Sequence, residues 1–160
     1  MESGEWVLQL IWRILPAYIA NAAPVVFVRK GHPIDFGKKW RDGNPILGKG
    51  KTFEGFIVGV TAGLLTGLIQ NRVAVSLMLA VGAMIGDLAG SFLKRRLGIR
   101  RSGPAPLLDQ MSFLIGAIAL SSILEPYTLE EVAVLILITI PLHLITNVFA
   151  YFMKLKKVPW

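Results

Sequence analysis

Val81-Gly82-Ala83-Met84-Ile85-Gly86-Asp87-Leu88-Ala89-Gly90 forms the centre of an apolar run from Val73 to Phe92, which ends against Lys94, Arg95 and Arg96. A run of about 20 mostly apolar residues is long enough to cross a bilayer as a helix. Asp87 is then a carboxylate inside a membrane span. An ionised acid is costly in hydrocarbon, and intramembrane acids mark functional sites by default.

The rest of the 160-residue chain has the same character, with 54% hydrophobic residues and a mean hydropathy of +0.60. Such values indicate an integral membrane protein. Segments 6–28, 53–70, 73–92, 107–124 and 132–152 qualify as spans, joined by two short turns and by polar loops at 29–52 and 93–106. The expected fold is one all-α membrane domain over 1–160 with five transmembrane helices. The chain has no cysteine, which removes disulfides and thiolate metal sites. Glu2 and Glu5 precede the first apolar run where a signal peptide would be basic, so that run is expected to be a permanent span.

The net charge of +7 would fit a nucleic-acid partner, but its distribution fits a membrane instead. Fifteen of the 17 basic residues fall in the two long loops, at the basic end of the third span and in the C-terminal tail. Arg72, Glu2, Glu5, Glu125, Glu130 and Glu131 fall on the other side. The positive-inside rule then puts the N-terminus outside and the C-terminus in the cytoplasm, in the cell membrane. Asp35, Asp42, Glu54, Asp87 and Asp109 lie at or near the basic face, which marks it as a reaction surface.

Glycines recur every fourth residue at Gly55, Gly59, Gly63 and Gly67, and again at Gly82, Gly86 and Gly90. Small residues on one face let membrane helices approach closely. Spans two and three are therefore expected to form an antiparallel pair packed through glycine. In the first span, Pro16 and Pro24 free backbone groups that need partners. Arg13 either snorkels outward with Gln9, the commoner outcome, or pairs inside the bundle. His143, without other ligand types nearby, reads as a hydrogen-bonded packing residue.

Residues three, four and seven apart share a helix face, which aligns Asp87, Ser91 and Lys94 with Arg95 beside them. Asp87 lies about 10 Å deeper than Lys94. Asp109 follows Pro104-Ala105-Pro106 at the start of the fourth span. Two carboxylates plus substrate phosphates are a usual way to hold magnesium. The alternative is a structural ion pair between Asp87 and Lys94 or Arg95. The segment Gly48-Lys49-Gly50-Lys51-Thr52-Phe53-Glu54-Gly55 puts two lysines and a hydroxyl at a helix start, where anions bind. It lacks Walker A spacing, and Thr52 also reads as a simple helix cap.

Gly86-Asp87-Leu88-Ala89-Gly90-Ser91-Phe92-Leu93-Lys94-Arg95-Arg96-Leu97-Gly98, followed by Gly103-Pro104-Ala105-Pro106-Leu107-Leu108-Asp109-Gln110, resembles the signature of the CTP-dependent membrane cytidylyltransferases. The chain is most similar to their archaeal CDP-archaeol synthase branch, through Asn21-Ala22-Ala23-Pro24-Val25, the segment from Asp35 to Gly43 and the segment from Gly48 to Gly55. It lacks the terminal Lys-Asp pair and His-Gly-Gly/Asp-Arg segment of the longer phosphatidate cytidylyltransferases, and Asp109 follows Leu108, which favours the archaeal branch.

The resemblance implies transfer of a cytidylyl group from CTP to an isoprenoid ether lipid phosphate, with one or two Mg2+ ions. On it, Asp87 and Asp109 hold metal, and Lys49, Lys51 and Lys94 contact CTP phosphates. Thr52 and Ser91 supply hydroxyls, and Arg95 serves the lipid phosphate or pyrophosphate. Asp87, Lys94 and Asp109 are the expected catalytic set. The rivals are a CTP-dependent polyprenol kinase, which would release CDP, and a small ion or solute transporter.

Overall fold

The computed structural model describes residues 3–100, 103, 105 and 107–159. Glu2, Arg101, Pro104 and Pro106, which entered the sequence reading, lie outside them. Five helices follow in order: α1 (Ser3–Phe27), α2 (Phe53–Ile69), α3 (Val73–Arg96), α4 (Leu108–Ser121) and α5 (Leu129–Phe152). Among the described residues the only extended pairings are two isolated bridges in the first long loop. Lys94, Arg95 and Arg96 form the last turn of α3, not loop, and favour the negative end of its dipole.

α1, α3 and α5 are long and apolar enough to cross a membrane. α2 has 17 residues and α4 only 14. At 1.5 Å per residue they measure about 25 and 21 Å, less than the roughly 30 Å hydrocarbon core.

α3 is the hub, and its two sides are used differently. Ser76, Ala80 and Met84 meet Gly67, Gly63 and Gly59 of α2, while Gly82, Gly86 and Gly90 face Gly116, Ser112 and Leu108 of α4. The expected α2–α3 pairing thus holds only for the glycines of α2, which also touch the carbonyls of Pro16 and Ala20 in α1. The glycine seam of α3 belongs to α4. The reason is angular: two residues along a helix turn the direction by about 200°, so the Ala80 and Gly82 rows point oppositely. A Cβ on Gly86 would stand 2.1 Å from the Ser112 carbonyl oxygen, so main chain lies on main chain there.

Leu10, Ile14, Ala17, Leu79, Ala83, Phe113, Leu114 and Leu135 fill the core between these helices. Proline at position 16 removes the donor that would pair with the Trp12 carbonyl, and the Gln70 side chain donates to it instead, at 2.7 Å. α5 starts with a capping box between Thr128 and Glu131 and packs at the periphery, where Tyr18 and Thr139 hydroxyls meet at 2.7 Å. Its exposed face carries Leu144, Ile145, Val148, Phe149 and Phe152.

Arg13 does not snorkel. Its guanidinium donates to Glu125 and Glu131 carboxylates at 3.2 and 2.9 Å and to the Pro126 carbonyl at 2.7 Å, with the Tyr127 ring 4.0 Å below. Arg72 also pairs with Glu125. Because α2 and α4 are short, their turns come down to the level of Arg13, and partners reach it there.

Candidate active site

The first long loop is folded, and Asp35 is the reason. Its buried carboxylate accepts the backbone N–H groups of Gly37, Leu47 and Gly48 at 2.8–2.9 Å. Burial pushes its pKa up, but those N–H donors outweigh burial and hold it below the usual carboxylate range. Bonds between Ile34 and Lys51 and between Phe53 and His32 close the base of the loop, and Trp40–Asn44 and Lys38–Ile46 bonds form an inner hairpin. Arg96 fastens that hairpin to the end of α3 through Asp42 and the Pro45 carbonyl, while Trp40 packs edge-on against Phe92.

So anchored, the loop delivers Lys51 to Asp87. The ammonium lies 2.5 Å from Asp87 Oδ2, and both side chains are about a quarter exposed, at 27%. Ser91, one turn beyond Asp87, donates to the Leu47 carbonyl of the same loop at 2.9 Å. Thr52 caps α2 by accepting from Gly55 N–H, which leaves its own proton to donate. Arg95 donates to the Ile99 carbonyl and lies beside Gly48, whose φ of 93° would strain a side chain. Lys49 is exposed on the loop.

The second acid is held in the same way. Buried Lys94 donates to both oxygens of Asp109 at 3.0 Å and to the Gly103 carbonyl at 2.9 Å. The α3–α4 seam sets Gly82 opposite Gly116, Gly86 opposite Ser112 and Gly90 opposite Leu108. Residue 87 is therefore level with residue 111, and residue 109 with residue 89. The two acids differ in depth by two residues of rise, about 3 Å. Sequence spacing aligned Asp87 with Lys94, but Asp87 pairs with Lys51 across 36 positions of sequence, and Lys94 serves Asp109.

No group of three or more acids, histidines and cysteines exists among the described residues. Two carboxylates at similar depth still fit magnesium, which retains waters and shares phosphate oxygens instead of demanding a full protein cage. Glu54, in the first turn of α2, is engaged by the backbone N–H and ring of His32. Neither Asp35 nor the His32–Glu54 pair stood out in the sequence as loop organisers. The Asp35-Phe36-Gly37 turn was the available signal for the first.

Away from this cluster, a cavity of about 600 Å³ lies at the opposite end of the bundle, lined by Leu8, Trp12, Arg13, Arg72 and Glu125. Arg72 lies 15 residues before Asp87 along the chain, about 22 Å of helix, so the cavity is remote from the acids.

Comparison with known proteins is consistent along nearly the whole chain. The family described as CarS-like, CDP-archaeol synthase, matches residues 4–160. CDP-archaeol synthase from Pyrococcus abyssi is 47% identical, with 96% of this chain and 98% of that protein covered. The Methanopyrus kandleri CDP-archaeol synthase is 46% identical over 100% of this chain and 98% of its own. A solved structure of an intramembrane enzyme for archaeal membrane lipid biosynthesis superposes with a TM-score of 0.78 at 43% identity, covering 89% of this chain and 94% of that one. With the motif order, the all-helical bundle and these relatives in agreement, the chain belongs to the CDP-archaeol synthase family.

Proposed function

We propose that this protein transfers the cytidylyl group of CTP to the phosphate of 2,3-bis-O-geranylgeranyl-sn-glycerol 1-phosphate, forming CDP-archaeol and pyrophosphate. Family membership supports the reaction, and the multi-pass character of the chain supports a membrane-embedded enzyme. One observation carries the assignment of residues: two lysine-held acids, Lys51–Asp87 and Lys94–Asp109, at nearly one depth on adjacent helices.

The chemistry suits that arrangement. The second pKa of a phosphomonoester is about 6, so the acceptor oxygen is already anionic near neutral pH and needs no strong general base. It attacks the α-phosphorus of CTP. The bond from that phosphorus to the bridging oxygen breaks, and pyrophosphate leaves with the electron pair. The main barrier is bringing two polyanions together, and fixed cations lower it by positioning and charge stabilisation.

Lys51 and Lys94 exchange their carboxylate partners for CTP phosphates, and Lys49 adds a third contact from the loop surface. Asp87 and Asp109 are the residues that would hold Mg2+, as one or two ions, once the lysines turn to phosphate. When bound, that metal neutralises phosphate charge. Thr52 donates its hydroxyl proton, Ser91 exchanges its Leu47 bond for a phosphate contact, and Arg95 serves the lipid phosphate or the departing pyrophosphate.

The chain forms a single membrane domain with five crossings, N-terminus outside and site at the cytoplasmic face, on the strength of the positive-inside pattern. α2 and α4 cross in a locally thin part of the bundle. The test is pyrophosphate release with labelled CTP, with and without magnesium, on ether and ester lipid phosphates. The reading expects metal-dependent label in the lipid and free pyrophosphate. Labelled CDP in place of lipid-bound label would instead identify a kinase.

A further inference from the structure

The C-terminal tail does not leave the bundle directly. After α5, Lys154 adopts a left-handed conformation with φ 58°, and the N–H groups of Leu155 and Lys156 both return to the Ala150 carbonyl, at 2.9 and 3.2 Å. This reversal lays Lys156 back along α5, where its ammonium donates to Asn147 Oδ1 at 2.9 Å. The Asn147 amide in turn meets His143 Nδ1 at 3.0 Å, and the His143 ring stacks on Phe113, one turn beyond Asp109 in α4. The chain of contacts runs from the tail to the acid-bearing helix.

Electrostatics agree with that placement. Lys156 lies within the fields of Asp109, Lys94 and Lys51, and the fields of both Asp87 and Asp109 reach His143. Burial comes first in holding the Lys156 ammonium below the usual lysine range; Asp109 opposes it, and Lys94 and Lys51 act with burial. A partly buried cation on this helix has a further distinction. It is held on the inward face of α5, the peripheral helix whose other face, with Leu144, Ile145, Val148, Phe149 and Phe152, is exposed. Lys51, by contrast, comes from the aqueous loop.

We propose that Lys156, folded back over the site by the tail, receives the phosphate of the incoming lipid, and that Asn147 positions it. The isoprenoid chains remain in the bilayer beside α5, and the headgroup reaches Lys156 around that peripheral helix, while the nucleotide enters over the loop lysines. The inference rests on the proposed reaction and names its acceptor subsite.

The test uses the full chain in lipid nanodiscs, with initial rates measured while each substrate is varied. Lys156→Gln raises the KM for the ether lipid phosphate about tenfold, the scale of one charge-assisted hydrogen bond, and leaves that for CTP within about twofold. Lys156→Arg restores most of the loss, and Asn147→Ala raises the lipid KM by about threefold. A purely structural lysine would not split the two constants. An equal or larger rise in the CTP constant, or no change in either, overturns the proposal. Equilibrium binding of a dialkylglycerol phosphate, set against the uncharged dialkylglycerol, reads Lys156 without turnover. Loss of the phosphate preference in Lys156→Gln supports the subsite, and retention overturns it. Failure of the wild-type protein to release pyrophosphate would instead count against the reaction itself.

Discussion

Both ends of this bundle hold a cluster of opposite charges, and they are built from different cations. At the α2–α3 and α4–α5 turns the cations are arginines. Arg13 is committed to two carboxylates, two carbonyls and the face of Tyr127, and Arg72 shares Glu125. At the other end each of the two acids on α3 and α4 is held by one lysine, Lys51 on Asp87 and Lys94 on Asp109. A planar guanidinium with five donors fixes several partners at once, whereas an ammonium is a mobile point charge that changes partner readily. The first cluster ties turns together. The second, on the proposed reaction, exchanges its acids for the phosphates of the nucleotide. The cavity beside the arginines therefore says little about catalysis, despite its 600 Å³.

The sharpest way to break this contrast is to neutralise one acid of the lysine cluster. Asp87→Asn and Asp109→Asn are each expected to lower kcat by about 100- to 1000-fold, the cost of removing one electrostatic element from a reaction centre. Unfolding of Asp87→Asn in detergent should move by no more than about 1 kcal/mol, because Lys51 and Asp87 are partly solvated. Near-normal turnover at saturating magnesium would remove the acids from the mechanism.

The reverse pattern is expected for the arginine cluster. Arg13→Ala leaves Glu125 and Glu131 without their shared partner and should cost about 3 kcal/mol of stability, read by thermal unfolding. The fraction that remains folded should retain its KM for CTP. Arg13→Lys should recover little, because one ammonium cannot span the same acceptors. A stable Arg13→Ala protein with impaired turnover would invert the comparison.

The smallest effect sharpens the role of the loop. Asp35→Asn weakens three charge-assisted bonds and should destabilise the loop by about 2 kcal/mol, seen as faster proteolysis between residues 28 and 52. The folded pKa of Asp35 lies below its unfolded value, so its contribution is complete above the ordinary carboxylate range and is lost as pH falls through the folded value. Protease resistance of the wild-type loop should decline on acidification, and that component should be missing from Asp35→Asn. An acid-insensitive loop would deny Asp35 its organising role.

Much of the architecture was legible because lipid imposes a severe filter. Apolar length placed all five helices within a few residues of where they run, including α2, read as 53–70 and observed as Phe53–Ile69. Glycine periodicity announced close packing, but it could not say which neighbour each row meets. That choice follows from the helix angle between Ala80 and Gly82 and from α4 being available on the far side. For Arg13 the less common outcome, pairing inside the bundle, is the one that holds, because partner access depends on how far short helices bring their turns, a tertiary fact. The acids and lysines were named from the sequence, but their pairing was not. Lys51 reaches Asp87 only because a loop of two dozen residues folds around Asp35, and spacing along one helix carries no record of that. Lys156 was hidden for the same reason: its position depends on a reversal at Lys154 that basic composition does not announce.

The Asp35 knot has a consequence for the nucleotide. A slack basic loop would have to lose its conformational freedom at each encounter with CTP, weakening every contact by the entropy of ordering. Here that ordering is completed once, when the chain folds. On the proposed reaction, cytidine triphosphate would meet a pre-folded basic collar whose residual adjustment is confined to the ends of a few long side chains.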